Sequence, residues 1–90
     1  MEMSLVIVSS FDWWGTDEEL KEADKKIKEA CGKTDGIKYM GLWVPHNTKF
    51  HYSRMWIVDS WDKFWEWERP PRDKKKASHI VMEYLSPANL

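Results

Sequence analysis

The residues IKYMGLWVPHNTKFHYSRMWIV, from Ile37 to Val58, are typical of two strands that fold back on each other. The segments Ile37 to His46 and Phe50 to Val58 are rich in β-branched and aromatic residues. A polar link, residues 47–49, separates them and is short enough to form a hairpin loop. Pro45 near the end of the first strand is typical of an edge strand or a bulge. The sequence therefore predicts a β-hairpin in the middle of the chain.

One strand and one helix are predicted before this hairpin. The segment Met3 to Phe11 contains the continuous apolar run Leu5 to Val8, which is typical of a central strand buried on both faces. Thr16 and Glu19 have the spacing of a capping box, which predicts that a helix begins there. An apolar stripe continues to Gly32, a residue that commonly ends helices.

A second helix and a last strand are predicted after the hairpin. Asp59 or Ser60 can cap a helix over Trp61 to Glu68, which Pro70 and Pro71 would end. Trp61, Phe64 and Trp65 share one side of this helix, which predicts that they face the core, whereas Trp67 is predicted at a rim. A final strand is predicted from His79 to Leu85.

The six elements follow the order β-α-β-β-α-β within one domain, residues 1–90. This order is that of the α+β ferredoxin-like arrangement, a four-stranded antiparallel sheet with two helices. Because crossovers of this kind are right-handed, both helices are expected on the same face of the sheet.

The hairpin register predicts two unlike sheet faces. A turn centred between Thr48 and Lys49 pairs His46 with His51, and it sorts the remaining side chains by alternation. The mostly aliphatic face holds Met40, Leu42, Val44, Ser53, Met55 and Ile57, and the aromatic face holds Tyr39, Trp43, Tyr52 and Trp56. We expect the helices to cover the aliphatic face. The exposed aromatic face would then form an unusually large apolar patch, so a homodimer is expected to bury it.

Composition excludes several classes of protein. Lys and Arg total 14 against 15 Asp and Glu, so the net charge is −1 and a basic nucleic-acid-binding surface is not expected. No apolar run approaches the ~20 residues of a membrane span, and no signal peptide is recognisable. The single cysteine, Cys31, agrees with a cytoplasmic protein. Seven tryptophans in 90 residues suggest more than one buried aromatic surface.

The segment MWIVDSWDKF, Met55 to Phe64, resembles the dimeric α+β barrel superfamily, in particular domains of the antibiotic-biosynthesis-monooxygenase type. That resemblance implies a homodimer in which two sheets form a barrel, and a ligand pocket between sheet and helices. It also implies a cofactor-independent monooxygenase, isomerase or cyclase acting on a flat, apolar substrate. The haem-degrading branch has a histidine on the second helix. Residues 61–68 contain none, so haem is disfavoured and no cofactor is expected.

Three histidines are candidates for moving a proton. His46 and His51, as direct cross-strand partners, would have Cβ atoms ~4.5–5.5 Å apart. They and His79 are the predicted catalytic residues. The alternative is that the pair are simply exposed histidines at a hairpin tip. No metal site is predicted, because a third ligand is not evident.

The predicted ligand-binding residues combine one cation with aromatic side chains: Tyr52, Arg54, Trp56, Trp61 and Trp65. Tyr52 and Arg54 would bind an oxyanion, and the tryptophans would form the walls of a pocket. The alternative is that these residues form a core and a dimer interface. Two further functions stay open: a non-enzymatic dimerising sensor or scaffold, and a haem or metal binder using the histidines.

Overall fold

The computed structural model describes residues 5–67 and 76–88. The elements are β1 (Leu5–Trp13), α1 (Asp17–Gly32), β2 (Ile37–Trp43), β3 (Tyr52–Val58), α2 (Trp61–Glu66) and β4 (Ala77–Leu85). The predicted order of strands and helices is confirmed. The parts of the predicted elements at Met3 and Glu68, and the predicted stop at Pro70 and Pro71, lie outside the described residues.

The strands form one four-stranded sheet in the order β2-β3-β1-β4, and every neighbouring pair is antiparallel. Each helix therefore connects two strands that have one other strand between them. β1 lies between β3 and β4, which confirms its predicted central position. Together the four antiparallel strands and two helices form an α+β domain compatible with a ferredoxin-like fold.

The predicted capping box begins α1. The side-chain oxygen of Thr16 accepts a hydrogen bond from the Glu19 backbone N–H at 3.1 Å, and Glu19 Oε1 accepts one from the Thr16 backbone N–H at 3.1 Å. These bonds satisfy donors that a helix start otherwise leaves unpaired. The apolar side of α1, including Ile27 and Ala30, then packs against the core that contains Cys31.

The second helix is shorter than predicted, and this changes which tryptophan is buried. Ser60 caps α2, and the helix ends at Glu66. Trp67 has extended backbone angles (φ −62°, ψ 126°), so its side chain leaves the helical phase and packs against the core. Trp67 is 6% exposed and Trp65 is 58% exposed. The prediction that Trp65 faces inward and Trp67 lies at a rim is therefore wrong.

The hairpin register also differs from the prediction. Tyr39 pairs with Trp56, whereas the predicted register paired Tyr39 with Val58. The register then shifts between Tyr39 and Leu42, where Gly41 has a φ of +97°. A bulge at a glycine with positive φ adds a residue to one strand and turns the following side chains over. Trp43 consequently faces away from Tyr39 and Trp56.

The ladder between β2 and β3 ends at the pair Trp43 and Ser53, so residues 44–51 form the link between the strands. The predicted pairing of His46 with His51 is therefore wrong. A two-residue hairpin turn would have brought them together, but the longer link leaves them beyond the ladder.

The helices cover the opposite face of the sheet from the one predicted. Leu5, Ile7, Trp56 and Val58 share one face through direct pairing, and they pack with Phe64 of α2 and with α1 in one core. Burial alternates from Leu5 to Ser9, so along this stretch only one face of β1 is fully covered. Covering this face buries Trp56, whose indole offers a large apolar area.

The open face carries aliphatic side chains. Val6 pairs with Ile57, Val8 pairs with Met55, and both β1 valines are only half-buried.

In residues 5–67 and 76–88, no helix is long and apolar enough to cross a bilayer.

Candidate ligand cavity

A cavity of about 580 Å³ lies between the helix-covered face of the sheet and the helices. Its size falls within the roughly 300–1,000 Å³ range of small-molecule sites. Five aromatic side chains contribute to its walls: Phe11, Trp13, Trp56, Phe64 and Trp67. The cavity therefore offers flat apolar surfaces together with the polar groups described below.

The strand register brings together the polar side chains on the sheet side of the cavity, which we call its floor. Ser9 of β1 pairs directly with Arg54 of β3 on one side and with Met82 of β4 on the other. All three side chains line the cavity. Side chains of directly paired residues lie on the same face, so Ser9 and Arg54 are adjacent groups.

Arg54 is the buried cation of the cavity. It is 7% exposed, and its Nη1 donates hydrogen bonds to Asp24 Oδ1 at 2.8 Å and to the Tyr39 hydroxyl at 3.0 Å. Its Cζ lies 5.1 Å from the centroid of the Phe11 ring, a cation–π distance. A charge buried this deeply needs both a counter-ion and hydrogen bonds, and Asp24 and Tyr39 supply them.

Tyr39 links the arginine to the helix. Its hydroxyl donates a hydrogen bond to Asp24 Oδ1. Burial raises the pKa of Tyr39 above its ordinary value, and the hydrogen bond to Asp24 raises this pKa further, while the positive charge of Arg54 acts in the opposite direction. Tyr39 therefore stays a neutral hydrogen-bond donor at physiological pH.

Ser9 is a buried hydroxyl without a hydrogen-bond partner in the described part of the chain. It is 6% exposed and lies beside Arg54 on the cavity floor. By contrast, the next residue, Ser10, faces the other side of the sheet and bonds to the Ser53 hydroxyl at 2.8 Å. A buried hydroxyl with an unused donor is available to a ligand.

Two of the predicted ligand-binding residues line the cavity, Arg54 and Trp56. Tyr52, Trp61 and Trp65 do not appear in its walls. The Trp61 and Trp65 rings contact the ring of Tyr84, with centroids 5.9 and 5.6 Å apart. Tyr52 pairs with Phe11, and the centroids of these two rings are 6.1 Å apart.

Sequence reasoning missed Ser9 and Asp24. Asp24 follows Leu20 by four residues and precedes Ile27 by three, so it lies on the apolar stripe of α1. A carboxylate on such a stripe signals a buried cationic partner. Ser9 gave no comparable signal, because its burial depends on the pairing of β1 with two other strands.

The structure gathers two of the three histidines around Asp12. His79 Nδ1 lies 3.0 Å from Asp12 Oδ2, and His51 Nε2 lies 3.9 Å from Asp12 Oδ1. His46 is exposed in the link and does not join them. None of the three histidines lines the cavity. No group of three or more His, Cys, Asp or Glu residues suited to a metal ion occurs among the described residues.

No protein-family model, curated protein or solved structure matches the chain.

Proposed function

We propose that the protein binds a small, flat, largely apolar molecule in the cavity between the sheet and the helices. The observation that carries this proposal is the cavity itself, about 580 Å³ with aromatic walls and a buried arginine on its floor. Apolar walls with a few fixed polar groups are typical of small-molecule sites.

Binding is better supported than catalysis. The resemblance to the dimeric α+β barrel superfamily favours a cofactor-independent monooxygenase, isomerase or cyclase. In these enzymes a proton-transfer group must reach the substrate. The candidate histidines lie outside the cavity walls, so a binding or sensing domain accounts for the geometry with fewer assumptions. For the same reason, the cavity does not support the alternative of haem held by a histidine.

A homodimer is the second part of this proposal. In the barrel arrangement of the superfamily, two ferredoxin-like sheets pair through their open faces. Support comes from the aliphatic side chains of Val6, Val8, Met55 and Ile57 on the open face, with the exposed Val81 beside them. Apolar side chains on one sheet face favour burial against a second copy.

Cavity binding is tested by titrating the protein with 2-ethylnaphthalene in a calorimeter. We expect a dissociation constant on the order of 10–100 µM, because a hydrocarbon of this size gains only its burial energy. The variant Ala23→Trp places a large ring in the cavity and should abolish binding, since Ala23 lines it.

The matched control is Ala88→Trp, which adds the same ring at an exposed position outside the cavity. This variant should bind like the wild type. If the wild type does not bind, or if Ala23→Trp binds as well as Ala88→Trp, the proposed cavity function is wrong.

A further inference from the structure

Arg54 has hydrogen-bond donors that the protein does not use. A guanidinium group carries five N–H donors. In the described structure only Nη1 forms hydrogen bonds, to Asp24 and to Tyr39. The donors of Nε and Nη2 remain, and the neighbouring Ser9 hydroxyl is also unused. A ligand oxygen at this point could accept the hydrogen bonds that these donors do not make within the protein.

The charge of Arg54, in contrast, is already compensated. Asp24 Oδ1 lies 2.8 Å from Nη1, and the Arg54 side chain is 9% exposed. The other charged side chains that line the cavity also balance. Lys76 forms an ion pair with Glu19, while Glu22 and Lys26 contribute one charge of each sign. Among the described residues, this set has no positive excess for an anionic ligand.

A carboxylate would therefore bind poorly here. It would lose its hydration on entering the cavity and would lie close to the negative charge of Asp24. An uncharged oxygen accepts the same hydrogen bonds and has a much smaller cost of desolvation. The unused donors and the balanced charge thus both favour a ligand with an uncharged hydrogen-bond acceptor.

We propose that Asp24 sets the charge class of the ligand, so that the cavity takes an apolar molecule with an uncharged hydrogen-bond acceptor and rejects the matching carboxylate. This inference rests on the proposed binding function. Arg54 and Ser9 bind the acceptor oxygen, and Asp24 acts through Arg54 as a specificity-determining residue. Phe11 and Trp56 flank the oxygen and accommodate the flat part of the molecule.

The test compares three naphthalenes of similar shape by calorimetry at pH 7.5: 2-acetylnaphthalene, 2-naphthoate and 2-ethylnaphthalene. The acetyl compound presents a neutral acceptor, naphthoate a carboxylate, and the ethyl compound no acceptor. We expect the acetyl compound to bind about tenfold more tightly than the ethyl compound, since it fills the unused donors. Naphthoate should bind at least about tenfold more weakly than the acetyl compound.

Asp24→Asn removes the charge and keeps the shape and the acceptor for Arg54 and Tyr39. The preference should be lost in this variant, with naphthoate gaining about tenfold relative to the acetyl compound, because Arg54 then has an uncompensated charge. Asp17→Asn makes the same charge change at the exposed start of α1 and should leave the preference unchanged.

Ser9→Ala should weaken binding of the acetyl compound about threefold to tenfold and leave binding of the ethyl compound unchanged. Ser10→Ala is the control on the opposite sheet face and should change neither. Tighter binding of naphthoate than of the acetyl compound by the wild type, or an unchanged preference in Asp24→Asn, would overturn the inference. If the ethyl compound binds and these selectivities are absent, only the inference fails. If no naphthalene binds, the proposed function fails with it.

Discussion

Cys31 shows at the residue scale how burial controls side-chain chemistry. It is 4% exposed within the core. Burial raises the pKa of the Cys31 thiol to about 11, and the indole N–H of Trp56 offsets part of that rise. The side chain is therefore a neutral thiol at physiological pH, which packs as a small apolar group and reacts slowly.

A stability consequence follows from this pKa. An exposed cysteine has a pKa of 9.0, whereas that of folded Cys31 is about 11. The unfolded chain thus loses its thiol proton first as the pH rises. The stabilising contribution is complete below pH 9 and is lost progressively as the pH approaches 11. We expect the free energy of unfolding to fall more steeply over this interval in the wild type than in Cys31→Ala.

Urea denaturation at several pH values measures this difference. Cys31→Ala will be less stable overall because it leaves a cavity, so the comparison concerns the change with pH within each protein. Other groups titrate in both proteins, and their effects cancel in the comparison. Parallel pH profiles for the two proteins would contradict the assignment of a raised pKa to Cys31.

The cavity residues differ in how well sequence reasoning identifies them. The sequence predicts Arg54 and Trp56 as ligand-binding residues, because an arginine among aromatic side chains can stack on them and bind an anion, and both line the cavity. The meeting of Asp24 with Arg54 was not predicted, because the two residues lie on different elements and their contact depends on how α1 packs on the sheet. The positions of Tyr52, Trp61 and Trp65 likewise depended on a register and a helix length that the pattern could not define.

At the scale of elements, α2 illustrates how the position at which a helix ends affects the core. Phe64 and Trp67 pack inward against Trp56, with ring centroids 5.6 and 6.2 Å from it. The predicted apolar side of Trp61, Phe64 and Trp65 placed Trp65 inward instead. The backbone becomes extended after Glu66, which directs Trp67 into the core and leaves Trp65 exposed.

Alanine substitutions at these two tryptophans give a matched comparison. Trp67→Ala should lower the free energy of unfolding by about 3–5 kcal/mol, the usual cost of removing a buried indole. Trp65→Ala should cost less than about 1 kcal/mol, because that ring is mostly exposed. Guanidinium denaturation followed by circular dichroism measures both. Equal costs, or a larger cost for Trp65→Ala, would contradict the burial of Trp67 in the core.

At the scale of the whole molecule, the two faces of the sheet have different surroundings. One is covered by the helices and contains the cavity, and the other presents an aliphatic surface. The proposed dimer uses the second face. Because the faces are separate, ligand binding and dimerisation can be tested with different variants of the same protein.

Sedimentation velocity tests the dimer. We expect the wild type to sediment as a dimer at micromolar concentration, and Ile57→Glu to sediment as a monomer, because a charge on the open face is costly to bury. Lys28→Glu, which changes a charge on the exposed side of α1, should remain dimeric. A wild-type monomer at about 100 µM, a concentration at which a specific dimer forms readily, would refute the dimer.

The number, type and order of the elements, the cap at Thr16 and the central position of β1 all follow from the sequence. These features depend on neighbouring residues, so periodicity and capping patterns are sufficient to predict them. The covered face, the register shift at Gly41 and the Arg54–Asp24 pair arise only in the folded chain. They depend on contacts between residues far apart in sequence, where a single bulge or an earlier helix end redirects the side chains that follow.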